Sequence, residues 1–181
     1  TSWDKRQMIT LPASTPIDDF PVYVDLSVLG SDFFADVASD GRDIRVVSEN
    51  GNTEYPFELV AIDTGAQTGE LYFKTDLSGL GTNYYIYYDN EDASAYSRTN
   101  TYGSDNVWTN GYVAVYHLEE DAAGVSNLDV YRDSTANQYD GDDFNTSTDK
   151  TGLFGSGQEF GVSQSDYLRL PREVLDGRTN I

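Results

Sequence analysis

The chain has 181 residues, with 31 Asp and Glu against 11 Lys and Arg and a formal net charge of −20. A surface this acidic repels phosphate backbones and anionic lipid, which excludes nucleic-acid binding. The lack of cysteine excludes disulfides, thiolate metal sites and a cysteine nucleophile. No run of about 18 apolar residues is present, so membrane insertion through a helix is not expected. The mean hydropathy of −0.52 reflects a polar surface, because the aromatic residues are spread along the chain and can supply a core. Two readings of the acidity stay open: a solvated coat, or a surface that gathers cations such as calcium.

Taken in chain order, the pattern is that of β-structure. The opening TSWDKRQMIT has no charged-then-apolar leader and reads as the start of a mature domain. KRQMITL at 5–11 suits a strand, and Pro12 and Pro16 bracket a turn. FPVYVDLS at 20–27 alternates strictly, with Val22, Val24 and Leu26 on one face and Tyr23, Asp25 and Ser27 on the other. SDFFADVASD at 31–40 is the short helix of the first half, with Ser31 or Asp32 as its cap. DIRVVS is the next strand. ENGN at 49–52 predicts a type I′ hairpin through Asn50-Gly51, and TEYPFELVAID returns as the partner strand. Pro56 within it marks an edge strand or a bulge. GELYFKTDL at 69–77 and NYYIYYDN at 83–90 form the next pair, joined by SGLGT. Six short strands with regular turn signals predict an antiparallel β-sandwich.

Residues 91–110 are polar and small and read as a linker or long loop. A second unit opens at GYVAVYHLEED, 111–121, with the alternation of a buried strand. Residues 121–150 are dominated by Asp, Asn, Ser, Thr and Gly, and their carboxylates are expected in loops. GSGQEFG and SDYLRLP follow as two short strands. A second sandwich of ordinary size needs about 150 residues, so this half is expected to be incomplete.

SWDKRQMITL, DDFPVYVDL, the phenylalanine pair before DGRDIRVV, the ENGNTEYPFEL hairpin and YIYYDNEDAS resemble, in that order, the bacterial domain of unknown function DUF2341. The resemblance covers about residues 2–95. Its pattern runs W-x-x-R, P-V-x-V, D-G-x-D-I-R-F, D-G-x-x-L-P-x-E and Y-x-Y-Y-G-N-x-x-A. Asp89 stands where the family commonly has Gly, which puts the turn after the tyrosine strand in question, since Gly tolerates positive φ more readily. VYHLEED, YRDSTANQYDG, GSGQEF and SDYLRLP resemble the first third of a concanavalin A-like, laminin G-like jelly roll. The resemblances imply domains at 1–95 and 111–181 separated by a linker or long loop at 96–110. The implied fold class is an antiparallel β-sandwich followed by a partial jelly roll. The implied role is an extracellular or cell-surface module for adhesion or carbohydrate binding, with no established enzymatic activity.

Alternation places Tyr84, Ile86 and Tyr88 on one strand face and Tyr85 and Tyr87 on the other. A central strand explains this, with the second face under a loop or helix; an exposed sugar platform made by Tyr85 and Tyr87 is the rival. Trp108 is a further candidate ligand-binding aromatic. His117 is the single histidine, and with no nucleophile motif and no second histidine it reads as structural rather than as a general base. No strand carries the alternating carboxylates that glycoside hydrolysis needs on such a fold, so no enzyme is expected. Asp133, Asp140, Asp142 and Asp143 are the candidate calcium ligands, followed by Asp89, Glu91 and Asp92, although no EF-hand spacing is present. Asn145-Thr146-Ser147 is a glycosylation sequon. Three roles compete: a surface module that binds a glycan or another surface ligand, a filament, pilus or virion-fibre subunit that self-assembles by strand complementation, and an accessory domain of a carbohydrate-active enzyme.

Overall fold

In the computed structural model, which describes residues 2–121, 127–144, 147–152, 155–162 and 165–176, the alternating stretch KRQMITL forms β1 (Lys5–Leu11). β2 (Ile17–Asp25), β3 (Arg45–Ser48), β4 (Glu54–Tyr55), β5 (Phe57–Asp63), β6 (Thr68–Leu77) and β7 (Thr82–Tyr88) follow. They build two antiparallel sheets in an all-β, sandwich-like fold. The first has the order β1-β7-β3-β4 and the second β2-β6-β5. These strands belong to the first of two compact units, residues 1–110 and 111–181.

The core of the first unit lies between its two sheets and is closed at one end by a helix. Val22 and Val24 of β2 and Leu71 and Phe73 of β6 meet Val46 of β3 and Tyr84, Ile86 and Tyr88 of β7. Each buried aliphatic or aromatic side chain contributes roughly 1.5–3 kcal/mol through area removed from water. The Tyr84 ring sits 5.0 Å from Phe73, and its hydroxyl shares a 2.9 Å hydrogen bond with Thr75 Oγ1, so its polar tip is satisfied inside the core.

Several expectations are corrected here. The stretches 69–77 and 83–90 are not a hairpin pair: β6 pairs with β2 and β5, β7 with β1 and β3. The connection crosses from one sheet to the other, and the two strands touch through side chains rather than a hydrogen-bond ladder. The return strand of the Asn50-Gly51 hairpin breaks at Pro56, which lacks an N–H. Before it, β4 pairs with β3; after it, β5 joins the second sheet as an edge strand. The hairpin loop itself is longer than a two-residue type I′ turn. Ser48 N–H bonds Thr53 O at 2.8 Å, and within the loop only Gly51 has positive φ.

The helix also starts earlier than its expected cap. Asp25 accepts the N–H of Ser27 at 2.9 Å and caps a 3-10 turn over Leu26–Leu29, which runs directly into α1 (Gly30–Asp36). The preceding turn occupies the place where Ser31 or Asp32 would cap. Phe33 and Phe34 fix α1 to the core, with Phe33 4.9 Å from the Tyr88 ring.

Residues 96–110, expected as a linker or long loop, fold onto the first unit. Phe57 N–H bonds Tyr102 O at 3.1 Å, and Val107 is fully buried. A Cβ on Gly103 would stand 2.1 Å from Ser97 O, so this crossing requires glycine.

The second unit holds β8 (Asn127–Tyr131), β9 (Gly141–Phe144), β10 (Ser147–Thr151), β11 (Ser156–Glu159) and β12 (Tyr167–Arg169). They form a three-stranded sheet β12-β9-β8 and a ribbon β10-β11. The stretches GSGQEFG and SDYLRLP do contain strands, β11 and β12. The polar run 121–150 also contains strands, contrary to expectation. The stretch 111–121 is not a strand and makes a single bridge, Tyr116 to Asp133. Its backbone is satisfied by side chains instead: Val115 N–H donates to Asp133, Val113 O accepts from Asn137, and Leu118 O and Glu120 O accept from Gln158. Among the described residues no helix is long and apolar enough to cross a membrane.

Candidate functional site

β7 is central in its sheet, and its register sets what surrounds Tyr85 and Tyr87. Met8 of β1 lies opposite Tyr85 on one side and Val47 of β3 on the other; Arg6 and Arg45 flank Tyr87 in the same way. Alternation then brings Arg6, Met8 and Thr10 of β1 onto the outer face with Asn83, Tyr85 and Tyr87 of β7. Tyr84, Ile86 and Tyr88 are buried at 2%, 0% and 3% exposure, while Tyr85 and Tyr87 are half-buried and Met8 is 53% exposed. Over Tyr85 and Tyr87 lies the side chain of Arg6, not the loop or helix expected for a two-sided aromatic strand.

The Arg6 guanidinium carbon sits 4.0 Å from the Tyr85 ring centroid, and Nη1 donates to the Tyr87 hydroxyl at 2.8 Å. The Tyr85 and Tyr87 rings meet edge-to-face at 6.3 Å. Farther along β7, Asn83 accepts from the Thr10 hydroxyl and donates to Glu49, both at 2.9 Å. Asn83 also lines a cleft of about 480 Å³ with Ser48, Glu49, Asn50, Thr82 and Tyr84. The face therefore runs from a cation on aromatic rings to a polar cleft.

Trp108 is not part of this face. It packs on the outer side of the other sheet, 8% exposed, with its ring 5.0 Å from Tyr72 and its Nε1 donating to Glu58 at 2.6 Å. Burial, and then the hydrogen bond and charge of Glu70, push the Tyr72 phenol far above its ordinary range.

The four candidate calcium ligands are spread over separate tasks. Asp133 is fully buried and accepts from Val115 N, Thr135 N, Thr135 Oγ1 and Tyr139 N at 2.8–3.0 Å. Asp140 accepts from Asp133 N at 2.8 Å. Asp142 and Asp143 are neighbours on β9 and point to opposite faces: Asp142 binds Arg169 Nε at 2.8 Å, and Asp143 accepts from the buried Tyr131 hydroxyl at 2.9 Å. Among the described residues no group of three or more carboxylates and histidines could hold a metal ion. Asp89, Glu91 and Asp92 form no such group either. His117 is half-buried in the 111–121 stretch. Asn145 and Thr146 of the sequon lie outside the described residues.

Some of the residues that carry the DUF2341 resemblance, Trp3, Asp43 and Arg45, share one network with Asp89. Trp3 Nε1 donates to Asp43 O at 2.6 Å, and the buried Asp43 carboxylate accepts from Ala38 N at 3.1 Å and Asp89 N at 2.9 Å. The buried Arg45 guanidinium lies 3.9 Å over the Tyr96 ring and donates to Ile44 O, Arg42 O and Ser94 O. These residues hold strand ends and loops together.

Arg6, Met8, Thr10, Asn83 and Glu49 are not candidate site residues by sequence; Arg6 stands there only as the arginine of the W-x-x-R stretch. Alternation within β1 groups Arg6, Met8 and Thr10, but their meeting with β7 spans more than 70 residues of chain and leaves no local trace. Comparison with known protein families, with curated proteins and with solved structures gives no match.

Proposed function

We propose that this chain is a non-catalytic extracellular or cell-surface module, a DUF2341-like sandwich followed by a laminin G-like portion, that serves adhesion through glycan binding on the outer face of β1 and β7. The observation that carries the reading is the half-exposed Tyr85–Tyr87 pair on a rigid central strand, continuous with the polar cleft at Asn83 and Glu49. Rigid aromatic surface beside amides, hydroxyls and a carboxylate is the chemistry that grips sugar rings and their hydroxyls. Both tyrosines point away from the core, so a Tyr85→Ala/Tyr87→Ala double variant keeps the inner face of β7. The test is a glycan array probed with the full chain: wild type binds a defined set of glycans and the double variant loses them. A uniformly blank array for wild type overturns the proposal.

A second reading, a filament subunit, draws on a groove of about 340 Å³ lined by Gln7–Leu11 of β1, Tyr23–Asp25 of β2, Val28 and Leu29. β1 and β2 are edge strands of their sheets, and an edge accepts a neighbour's strand. Light scattering should then show concentration-dependent assembly; a strictly monomeric chain argues against this role.

A further inference from the structure

We infer that the outer face of β1 and β7 selects saccharides that carry a carboxylate, with Arg6 and Tyr87 as the residues that hold it. The inference rests on the glycan-binding reading above and narrows its ligand class.

Arg6 is unusual for this chain. Carboxylates outnumber cations nearly threefold, and among the described residues every other Lys or Arg of the first unit has a carboxylate within ion-pair distance, as Lys5 has Asp36 at 2.6 Å. Arg6 has none there and lies instead across the Tyr85 ring. A guanidinium stacked on a ring keeps its charge and its in-plane N–H donors while losing rotamer freedom. It is therefore already ordered for an anion.

Tyr87 completes the receptor. Its oxygen accepts from Arg6, so its own O–H is left to donate, and a hydroxyl that accepts from a cation is a stronger donor. One carboxylate at the rim of this pair receives hydrogen bonds from the guanidinium and the phenol together. Arg6 also covers the Tyr85 face on which a neutral sugar would stack. A neutral ring must displace the guanidinium, whereas an acidic one uses it.

The rest of the face favours a saccharide over an acidic peptide. Asn83 stands four residues from Tyr87, roughly 13 Å along the strand, with Thr10 and Glu49 beside it. Amide, hydroxyl and carboxylate are suited to sugar hydroxyls, and Glu49 repels a second carboxylate placed there. The net charge of −20 does not cancel the attraction at Arg6, because charges beyond about 8 Å are screened at physiological salt. It does restrict the site to ligands with isolated rather than dense negative charge.

The test is titration calorimetry of the full chain with three probes: a galactan oligomer ending in a single galacturonate, the matching neutral galactan oligomer, and a neutral peptide of similar length ending in a single glutamate. Wild type should bind the uronate-ended oligomer best, and more weakly at raised ionic strength. Arg6→Gln should weaken that binding on the order of tenfold or more, the worth of a charge-assisted hydrogen bond. Tyr87→Phe, which keeps the ring, should weaken it several-fold. Arg6 is exposed, and circular dichroism checks that both variants stay folded. Equal binding of the neutral and acidic oligomers, unchanged in Arg6→Gln, overturns this inference and leaves glycan binding standing. The glutamate-ended peptide bound as tightly as the uronate-ended oligomer overturns the choice of saccharide. No binding to any probe overturns the inference, and the array with its many neutral glycans then decides separately on the broader proposal.

Discussion

The two units are held together by different physics. The first buries Leu26, Phe33, Ile44, Leu71, Phe73 and Ile86 at 0% exposure, or nearly so, around a dry interior. In the second, among the described residues, Tyr131 is the buried large apolar side chain, and Asp133, Ser134, Thr135 and Asp143 are buried with it. One unit rests on area removed from water, the other on hydrogen bonds gathered by interior carboxylates. The first kind of core tolerates many sequences of the right pattern; the second depends on individual atoms.

The most severe way to test this contrast is to hollow the apolar core. Phe73 touches Tyr55 and Tyr84 across the sandwich, and Phe73→Ala should cost about 3–5 kcal/mol. Both tryptophans, Trp3 and Trp108, lie in the first unit, so tryptophan fluorescence in urea reports its unfolding selectively. A midpoint that barely moves would show that the sandwich interior is not what holds this unit.

Next is Asp133, whose carboxylate accepts four hydrogen bonds. Asp133→Ala leaves buried donors without acceptors and should cost about 3 kcal/mol, since bonds to a charged acceptor are each worth roughly 1.5–3. Amide exchange gives the readout: Val115, Thr135 and Tyr139 N–H should lose protection together. Retained protection at all three would mean that apolar contacts, not Asp133, carry the second unit.

The hydrogen-bonded unit also has a pH dependence of its own. Burial foremost, then the charges of Asp133 and Asp140, push the Tyr116 phenol from its ordinary 10.0 up to about 12. A raised folded value means stability that is complete below pH 10 and declines as pH climbs from there toward 12. Asp142 moves the other way: the Asp129 N–H at 3.0 Å, then Arg169, hold its carboxyl below its ordinary value. Its contribution is complete above the ordinary carboxylate value and is lost as pH falls through the depressed one. Phenolate absorbance followed against pH, with Tyr116→Phe as the control, checks the alkaline limb. Tyr116 ionising near pH 10 in the folded chain would remove its basis.

The same contrast explains what could be read from the residues. Period-two alternation delimited β1 residue for residue and set Tyr84, Ile86 and Tyr88 on one face, because a dry interior imposes that pattern directly. It could not say which face of β7 is buried, nor choose partners. The short connection between β6 and β7 fits a hairpin and a crossing equally well, and alternation is the same in both. In the second unit the pattern located β11 and β12 but read 111–121 as a strand and missed the strands of 121–150. Carboxylate-rich β9 looks like a loop by composition, and only the positions of Arg169, Asp129 N–H and Tyr131 reveal that its aspartates have structural partners. The Arg6 face falls between these cases: its tyrosines stand out as a run, while Arg6 shows only as the arginine of W-x-x-R, with no sign that it lies over Tyr85.

The gentlest perturbation concerns the turn that follows β7. Asp89 adopts φ 63°, the left-handed conformation, at the position where the resembled DUF2341 pattern commonly has glycine. Its N–H is held by the Asp43 carboxylate at 2.9 Å, and its own carboxylate lies 3.8 Å from Lys5 Nζ. The backbone is thus fixed from outside, so the residue follows the conformation rather than setting it. An L-residue in this region carries about 1–2 kcal/mol of strain, less for Asp. Asp89→Gly relieves that strain but gives back about 0.4–1 kcal/mol in unfolded-chain entropy, and it loses an exposed ion pair worth about 0–1 kcal/mol. These nearly cancel, so its urea midpoint should stay close to wild type. Asp89→Ala keeps the Cβ, loses the ion pair and recovers nothing, and should fall below wild type by about 1 kcal/mol. The order glycine near wild type, alanine lowest, is the signature of a turn imposed by Asp43. Alanine equal to glycine would mean that the turn relaxes out of the left-handed region once the aspartate is gone, and that Asp89 itself, not Asp43, sets it.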